Sequence, residues 1–303
     1  MATPSHEVSD HSHHLLPSSA EDVNMTEILI TGNQGQLGRA VERLAAKRGL
    51  SVSGSDLDSL DITSAFQVEQ WIATHQPRTV INCAAFTAVD DCETKEDEAE
   101  SINGTAVGYL AEACHGCGAR LIHVSTDYVF DGTKTTPYVE SDPTEPTSAY
   151  GRTKLAGERL AASVPDHVIV RTAWLYGLGG RNFVEAIRRQ IDGGAKELKV
   201  VADQHGCPTF CDDLATALLD LAKVEAHGII HAVNSGDTTW HGFASEVARI
   251  LGSSIPIEAV TTQAFLRPAP RPAYSVLDTT RLQTLRGRPM PTWQDALARY
   301  LQS

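Results

Sequence analysis

Glu27-Ile28-Leu29-Ile30-Thr31-Gly32-Asn33-Gln34-Gly35-Gln36-Leu37-Gly38 decides the fold. Its first five residues, with Ile28 to Ile30 as the apolar centre, read as a buried strand, and the glycines that follow open an amphipathic helical stretch from Gly35 to Gly49. A strand, a glycine turn and a helix in that order bring helix N–H groups and a partial positive charge to the strand's carboxyl end. That is where a dinucleotide pyrophosphate binds, with glycine allowing the backbone to approach it closely. Gly32, Gly35, Gln36 and Leu37 are therefore candidate cofactor contacts.

Outward from this unit the pattern repeats. Leu50 to Gly54, Thr79 to Cys83, Arg120 to Val124 and Val168 to Arg171 read as strands. Ser64 to His75, Ala99 to Cys117 and Tyr150 to Ala162 read as the helices between them. Such alternation predicts an α/β fold, a Rossmann-type doubly wound parallel sheet that binds ligands at the carboxyl ends of its strands. After Tyr176 the alternation loosens, with helices expected over Asn182 to Ile191, Asp213 to Val224, from Thr239 and from Trp293. The expected organisation is a dinucleotide-binding domain over residues 25–177 and 205–235, with a smaller, discontinuous substrate-binding lobe over 178–204 and 236–303. Residues 1–24, with His11, His13 and His14 among polar residues and no apolar periodicity, read as a disordered extension without the marks of a targeting signal.

The 303 residues carry 38 acidic and 25 basic side chains, a formal net charge of −13, which disfavours nucleic acid as a partner. An anionic ligand must then be held by backbone N–H groups and a few cations, for which the arginines of the second half are candidates. No run reaches the length of a membrane span. Six cysteines without a secretory signal point to reduced thiols and a cytoplasmic setting. The one CxxC, Cys114 and Cys117, lies at the end of an expected helix and reads as packing, since a structural zinc usually takes four ligands.

Three further stretches carry chemistry. Asp56, just past the second strand, can bind the adenosine ribose hydroxyls, with Asp58 as a competitor, and the absence of a nearby arginine favours NADH over NADPH. Small residues after the third strand, in Asn82-Cys83-Ala84-Ala85-Phe86-Thr87, let the chain pass close to a cofactor. Thr126 should project its hydroxyl at the edge where the helix of Tyr150 and Lys154 begins. The i, i+4 spacing puts phenol and ammonium on one helix face, where the charge can lower the phenol's pKa, and a carbonyl could accept hydrogen bonds from Tyr150 and Thr126.

Together these pieces resemble the dTDP-4-dehydrorhamnose reductase family of extended short-chain dehydrogenase/reductases. TGNQGQLG (31–38), INCAAFTAVD (81–90), STDYVFDG (125–132), SAYGRTKLAGE (148–158), VRTAWLYG (170–177), VVADQHGCPT (200–209) and RPAPRPAYSVLD (267–278) stand in family order from Met25 onward. The GxxGxxG spacing of the first piece is typical of short-chain dehydrogenases. The resemblance implies NAD(P)H-dependent reduction of the C4 carbonyl of a nucleotide sugar, with Tyr150 as proton donor, Lys154 as its partner and ribose ligand, and Thr126 on the carbonyl. It also implies Gly35, Gln36 and Leu37 at the pyrophosphate, Asp61 and Ile62 at the adenosine, Ala84, Ala85 and Thr87, flanking Phe86, at the central cofactor, and Val89, Asp127, Tyr128 and Trp174 around the substrate.

Two departures stand out. Some members form metal-bridged dimers through a glutamate where this chain has Ala40, which puts magnesium and that dimer in doubt and leaves monomer or homodimer open. Phe86 replaces a tyrosine. Two rival readings share the fold: a nucleotide-sugar dehydratase or epimerase, and a non-catalytic regulatory subunit. Dehydratases carry Thr-Asp-Glu where this chain has Thr126-Asp127-Tyr128, and retention of Tyr150, Lys154 and Thr126 argues against a regulatory role.

Overall fold

The computed structural model describes residues 26–302. The extension expected over 1–24, and Met25, lie outside them. β1 (Ile28–Thr31), α1 (Gln36–Lys47), β2 (Val52–Ser55), α2 (Ala65–His75) and β3 (Thr79–Asn82) follow in turn. Next come α3 (Val89–Cys92), α4 (Glu96–Glu100) and α5 (Ala106–Cys117), the last two joined by a π-helical turn over Ser101–Thr105. β4 (Arg120–Thr126), α6 (Ala149–Ala161) and β5 (His167–Thr172) complete the first half. The single helix expected over 99–117 therefore starts earlier and is widened in its middle.

The second half is built of shorter pieces. β6 (Leu175–Tyr176), α7 (Phe183–Asp192), β7 (Leu198–Val201), β8 (His205–Gly206) and β9 (Thr209–Phe210) precede α8 (Cys211–Leu221) and β10 (Gly228–His231). β11 (Thr238–Thr239), α9 (Trp240–Ile250), β12 (Ile257–Val260), α10 (Thr280–Arg286) and α11 (Trp293–Leu301) end the chain.

Six strands form the main sheet in the order β10-β5-β4-β3-β1-β2, every pairing parallel. Alternation along the strands splits the core in two. Ile28, Ile30, Ile81, Ile122 and Val168 pack with Leu37 and Val41 of α1 and Leu214 and Leu218 of α8. Leu29, Val80, Leu121 and Ile169 pack on the other face with Val68 and Ile72 of α2 and Leu110 and Cys114 of α5. The chain winds from β1 to β2 on one side and returns to β3 on the other, so the order reverses between β1 and β3, the crevice where such sheets bind ligands.

A separate apolar cluster gathers Val184 and Ile187 of α7, Leu198 and Val200 of β7, Phe243 and Val247 of α9, and Trp293 and Leu297 of α11. β7 and β12 pair in parallel beside it. Side chains cap its helices, Asn182, Thr239 and Thr292 each accepting a first-turn N–H. Among the described residues no helix is long and apolar enough to cross a membrane.

Candidate active site

The reversal point is built for close approach. Gly32 has φ +69°, and a Cβ there would lie 2.8 Å from the backbone of Ala84, so only glycine lets the β1–α1 turn meet the end of β3. α1 starts at Gly35 with no side-chain cap, leaving its first N–H groups directed at the crevice. Asp56 sits beside this turn, its carboxylate accepting the Gln34 and Leu57 backbone N–H groups at 2.9 Å each. Asp58 accepts from the Gln34 side chain at 2.9 Å. A glycine-floored, uncapped helix start with a carboxylate at the end of β2 fits a dinucleotide.

Asp61 accepts from the Thr63 backbone and hydroxyl and leads the chain into α2, whose cap is Ser64. Ile62 is buried in the core under α2, so only its backbone can serve a ligand. Past β3, Asn103 from the π-helical turn holds Phe86 at both its N–H (2.8 Å) and its C=O (3.1 Å) and also reaches the Thr153 hydroxyl of α6 (3.1 Å). This fixes Ala84, Ala85 and Thr87 against the helix of Tyr150 and Lys154.

Thr126 ends β4. Its hydroxyl donates to Asp127 at 3.0 Å and accepts the Tyr128 N–H. Ser148 caps α6, and a Cβ on Gly151 would stand 2.2 Å from the Tyr128 carbonyl oxygen, so this glycine seats the helix start on the Asp127–Val129 turn. As a result the Tyr150 ring meets Tyr128 edge-on at 5.4 Å, with its phenol beside the Thr126 hydroxyl. Burial raises the phenol's pKa, and the neighbouring Thr126 hydroxyl lowers it.

Lys154 is buried, and its Nζ donates to the Val124 carbonyl at 2.8 Å and lies 3.4 Å from His123 Nε2. Burial lowers the amine to about 8, with Glu158 and Cys83 acting against it. The expected lowering of the phenol by the ammonium is not what the geometry gives. Tyr150 and Lys154 share a helix face but run side by side along β4, one reaching Thr126 and the other Val124, and burial dominates the phenol.

Asp127 is buried and pushed up to about 6 by that burial, against help from the Ser275 and Thr126 hydroxyls. Tyr128 bonds to Arg271, whose guanidinium reaches Asp90 at 2.5 Å beside Val89 at the start of α3, while Arg267 lies 3.7 Å from the same carboxylate. Trp174, at φ +47°, stacks on Trp240 with centroids 3.5 Å apart and planes 6° from parallel, and Trp240 donates to Gln204 at 3.1 Å. A cleft of about 940 Å³ runs along Tyr128, Phe183, Gln204, Trp240, Arg267 and Arg271. Tyr128 lines this cleft and adjoins Thr126, Asp127 and Tyr150, Trp174 joins through Trp240, and Asp56 to Ile62 stand apart at the sheet's β2 edge. Ala40 is buried against the sheet and offers no donor to a metal.

Residues 25–303 match the model of the RmlD substrate binding domain family. The chain belongs to this family. It is 44% identical over 277 residues to the dTDP-4-dehydrorhamnose reductase of Streptomyces griseus, covering 89% of this chain and 91% of that one. It is 45% identical over 278 residues to a probable dTDP-4,6-dihydroxy-2-methyloxan-3-one 4-ketoreductase of Streptomyces antibioticus, covering 89% and 92%. The crystal structure of the Bacillus anthracis dTDP-4-dehydrorhamnose reductase in complex with NADP superposes with a TM-score of 0.88 at 34% identity, covering 92% of this chain and 99% of that one.

Sequence reasoning passed over Asn103, Trp240 and Ser275. An asparagine inside an expected helix was the available signal for Asn103, since its amide competes with helical hydrogen bonds. Trp240 and Ser275 reach the site only through tertiary packing.

Proposed function

We propose that this protein is an NAD(P)H-dependent oxidoreductase that reduces the C4 carbonyl of dTDP-4-dehydro-L-rhamnose to give dTDP-L-rhamnose, the last step of dTDP-rhamnose formation. The observation that carries this reading is the Tyr150 phenol beside the Thr126 hydroxyl, both adjoining Tyr128, which lines a cleft walled by Arg267 and Arg271. The bound dinucleotide supplies a hydride. Tyr150 gives its proton to the sugar oxygen as negative charge develops there, and the Thr126 hydroxyl, turning from Asp127, donates to that oxygen. In this reading Lys154 is the ligand of the nicotinamide ribose. Arg267 and Arg271, kept near each other by Asp90, suit the diphosphate, and Phe183 and Trp240 offer an apolar wall for the base. Residues 178–204 and 236–303 act as the substrate lobe over the dinucleotide-binding residues 25–177 and 205–235.

The Streptomyces antibioticus relative supports a second reading, reduction of another dTDP-linked sugar ketone by the same residues. Elimination of water is disfavoured, because the position of a dehydratase glutamate is held by Tyr128, which Arg271 engages.

Replacing Tyr150 with Phe keeps the ring and deletes the acid. kcat should fall about 100- to 10,000-fold with coenzyme affinity nearly unchanged. A folded variant that keeps more than about half of the wild-type kcat excludes Tyr150 as the proton donor.

A further inference from the structure

His123 is a buried histidine with no part in the chemistry above, and it touches Lys154. Thr31, Asn82 and His123 stand on one rung of three neighbouring parallel strands, Thr31 opposite Asn82 and Asn82 opposite His123, all fully buried. The Thr31 hydroxyl donates to Asn82 Oδ1 at 2.6 Å, and the Ala84 backbone N–H donates to the same atom at 3.1 Å. A backbone N–H can only donate, so that atom is the amide oxygen, and the amide nitrogen faces His123 Nδ1 at 3.0 Å. An amide nitrogen also only donates. Nδ1 must therefore accept, and in a neutral ring the proton sits on Nε2, pointing at Lys154 Nζ 3.4 Å away.

An ammonium has three donors and no lone pair, so it cannot accept from that N–H, whereas the neutral amine can. We infer that His123 is a positioning residue for the reductase chemistry: held as the Nε2–H tautomer by the Thr31–Asn82 ladder, it favours the neutral amine of Lys154 and so eases release of the lysine's proton. The ring stays neutral because burial holds its pKa well below 6.5, with the Lys154 charge acting in the same direction. Around Lys154, Glu158 on α6 and Cys83 after β3 favour the charged form, the Val124 carbonyl of β4 accepts one N–H, and Tyr150 stands one turn back on the same face. Burial opposes them, and the inferred His123 Nε2–H acts in the same direction. The functional importance of the inference rests on the Tyr150 and Lys154 roles proposed above, but its test does not.

Nuclear magnetic resonance of isotope-labelled histidine in the intact protein reads the tautomer directly. The expected state is an unprotonated Nδ1 and a protonated Nε2 from about pH 5 to about pH 9. The opposite tautomer, or an imidazolium at neutral pH, overturns the inference. In His123→Gln the amide oxygen can turn to the ammonium. The Cε signal of Lys154, identified as the one lost in Lys154→Met, should then titrate about one pH unit higher, a tenfold gain in proton affinity. The alkaline limb of the kcat profile should move the same way, with KM for the coenzyme within about twofold. An unmoved Lys154 titration in a folded variant also overturns the inference. Should Lys154 shift while Tyr150→Phe remains active, the acid assignment fails and the His123 inference stands.

Discussion

At Asp56 one carboxylate closes a turn and faces the crevice. It fixes the Gln34 N–H of the glycine turn and still has lone pairs for a ribose. Asp56→Ala should weaken both coenzymes through the loosened turn, and NADH more than NADPH, because the lost carboxylate binds a 2′-hydroxyl but repels a 2′-phosphate. Fluorescence titration with each coenzyme measures this, and equal losses leave Asp56 with only the turn. Asp127 offers a test by pH. Its folded value near 6 lies above the ordinary 3.8, so the fold binds the proton more tightly than the unfolded chain does. The resulting stabilisation is full below about pH 4 and is lost as pH rises through about 6. Relative to Asp127→Asn, the wild type should lose up to about 3 kcal/mol of stability between about pH 4 and about pH 7 in urea unfolding. A difference that does not vary with pH contradicts this. Thr126 and Tyr150 are legible in the sequence because each sits at a fixed offset from a strand end or a helix start. The partner of Lys154 is not, since the packing of α6 on β4 and not spacing brings His123 beneath it.

The helix α6 carries the proposed acid, and two neighbours of Tyr150 set where it begins. Ser148→Ala removes the cap and should cost about 1 kcal/mol, with the helix still seated and kcat within a few-fold of wild type. Gly151→Ala is the harsher change, since its Cβ would drive into the Tyr128 carbonyl oxygen and lift the helix start from the turn that holds Thr126. A destabilisation of about 1–3 kcal/mol with a kcat loss beyond tenfold is expected. Equal kcat in the two variants contradicts the seating role of Gly151. Periodicity locates α1, α2, α6 and the main strands to within a few residues. It does not reveal the π-helical turn at Ser101–Thr105, where one helix widens to bring Asn103 onto the Phe86 backbone. The short strands β6, β8, β9 and β11, two residues each, are equally hidden, being defined by the partners they meet.

Across the whole molecule, an acidic chain gathers a few cations where a diphosphate would lie. Arg267 and Arg271 come from the proline-rich loop, face Asp90 at the start of α3, and border the same cleft as the aromatic wall of α7 and α9. The parallel sheet is legible from alternation alone, and the reversal between β1 and β3 places the glycine turn beside the end of β3 as the opening stretch requires. The cleft is not legible in that way, because segments far apart in the sequence supply its walls, from Tyr128 and Phe183 to Trp240 and Arg271. The central claim is net reduction of a nucleotide-sugar ketone. Its most direct test is incubation with dTDP-4-dehydro-L-rhamnose and reduced nicotinamide coenzyme, following coenzyme absorbance and product together. The account predicts one coenzyme oxidised for each dTDP-L-rhamnose formed. Product formed from only a catalytic amount of coenzyme, or no oxidation with a folded protein, would contradict it.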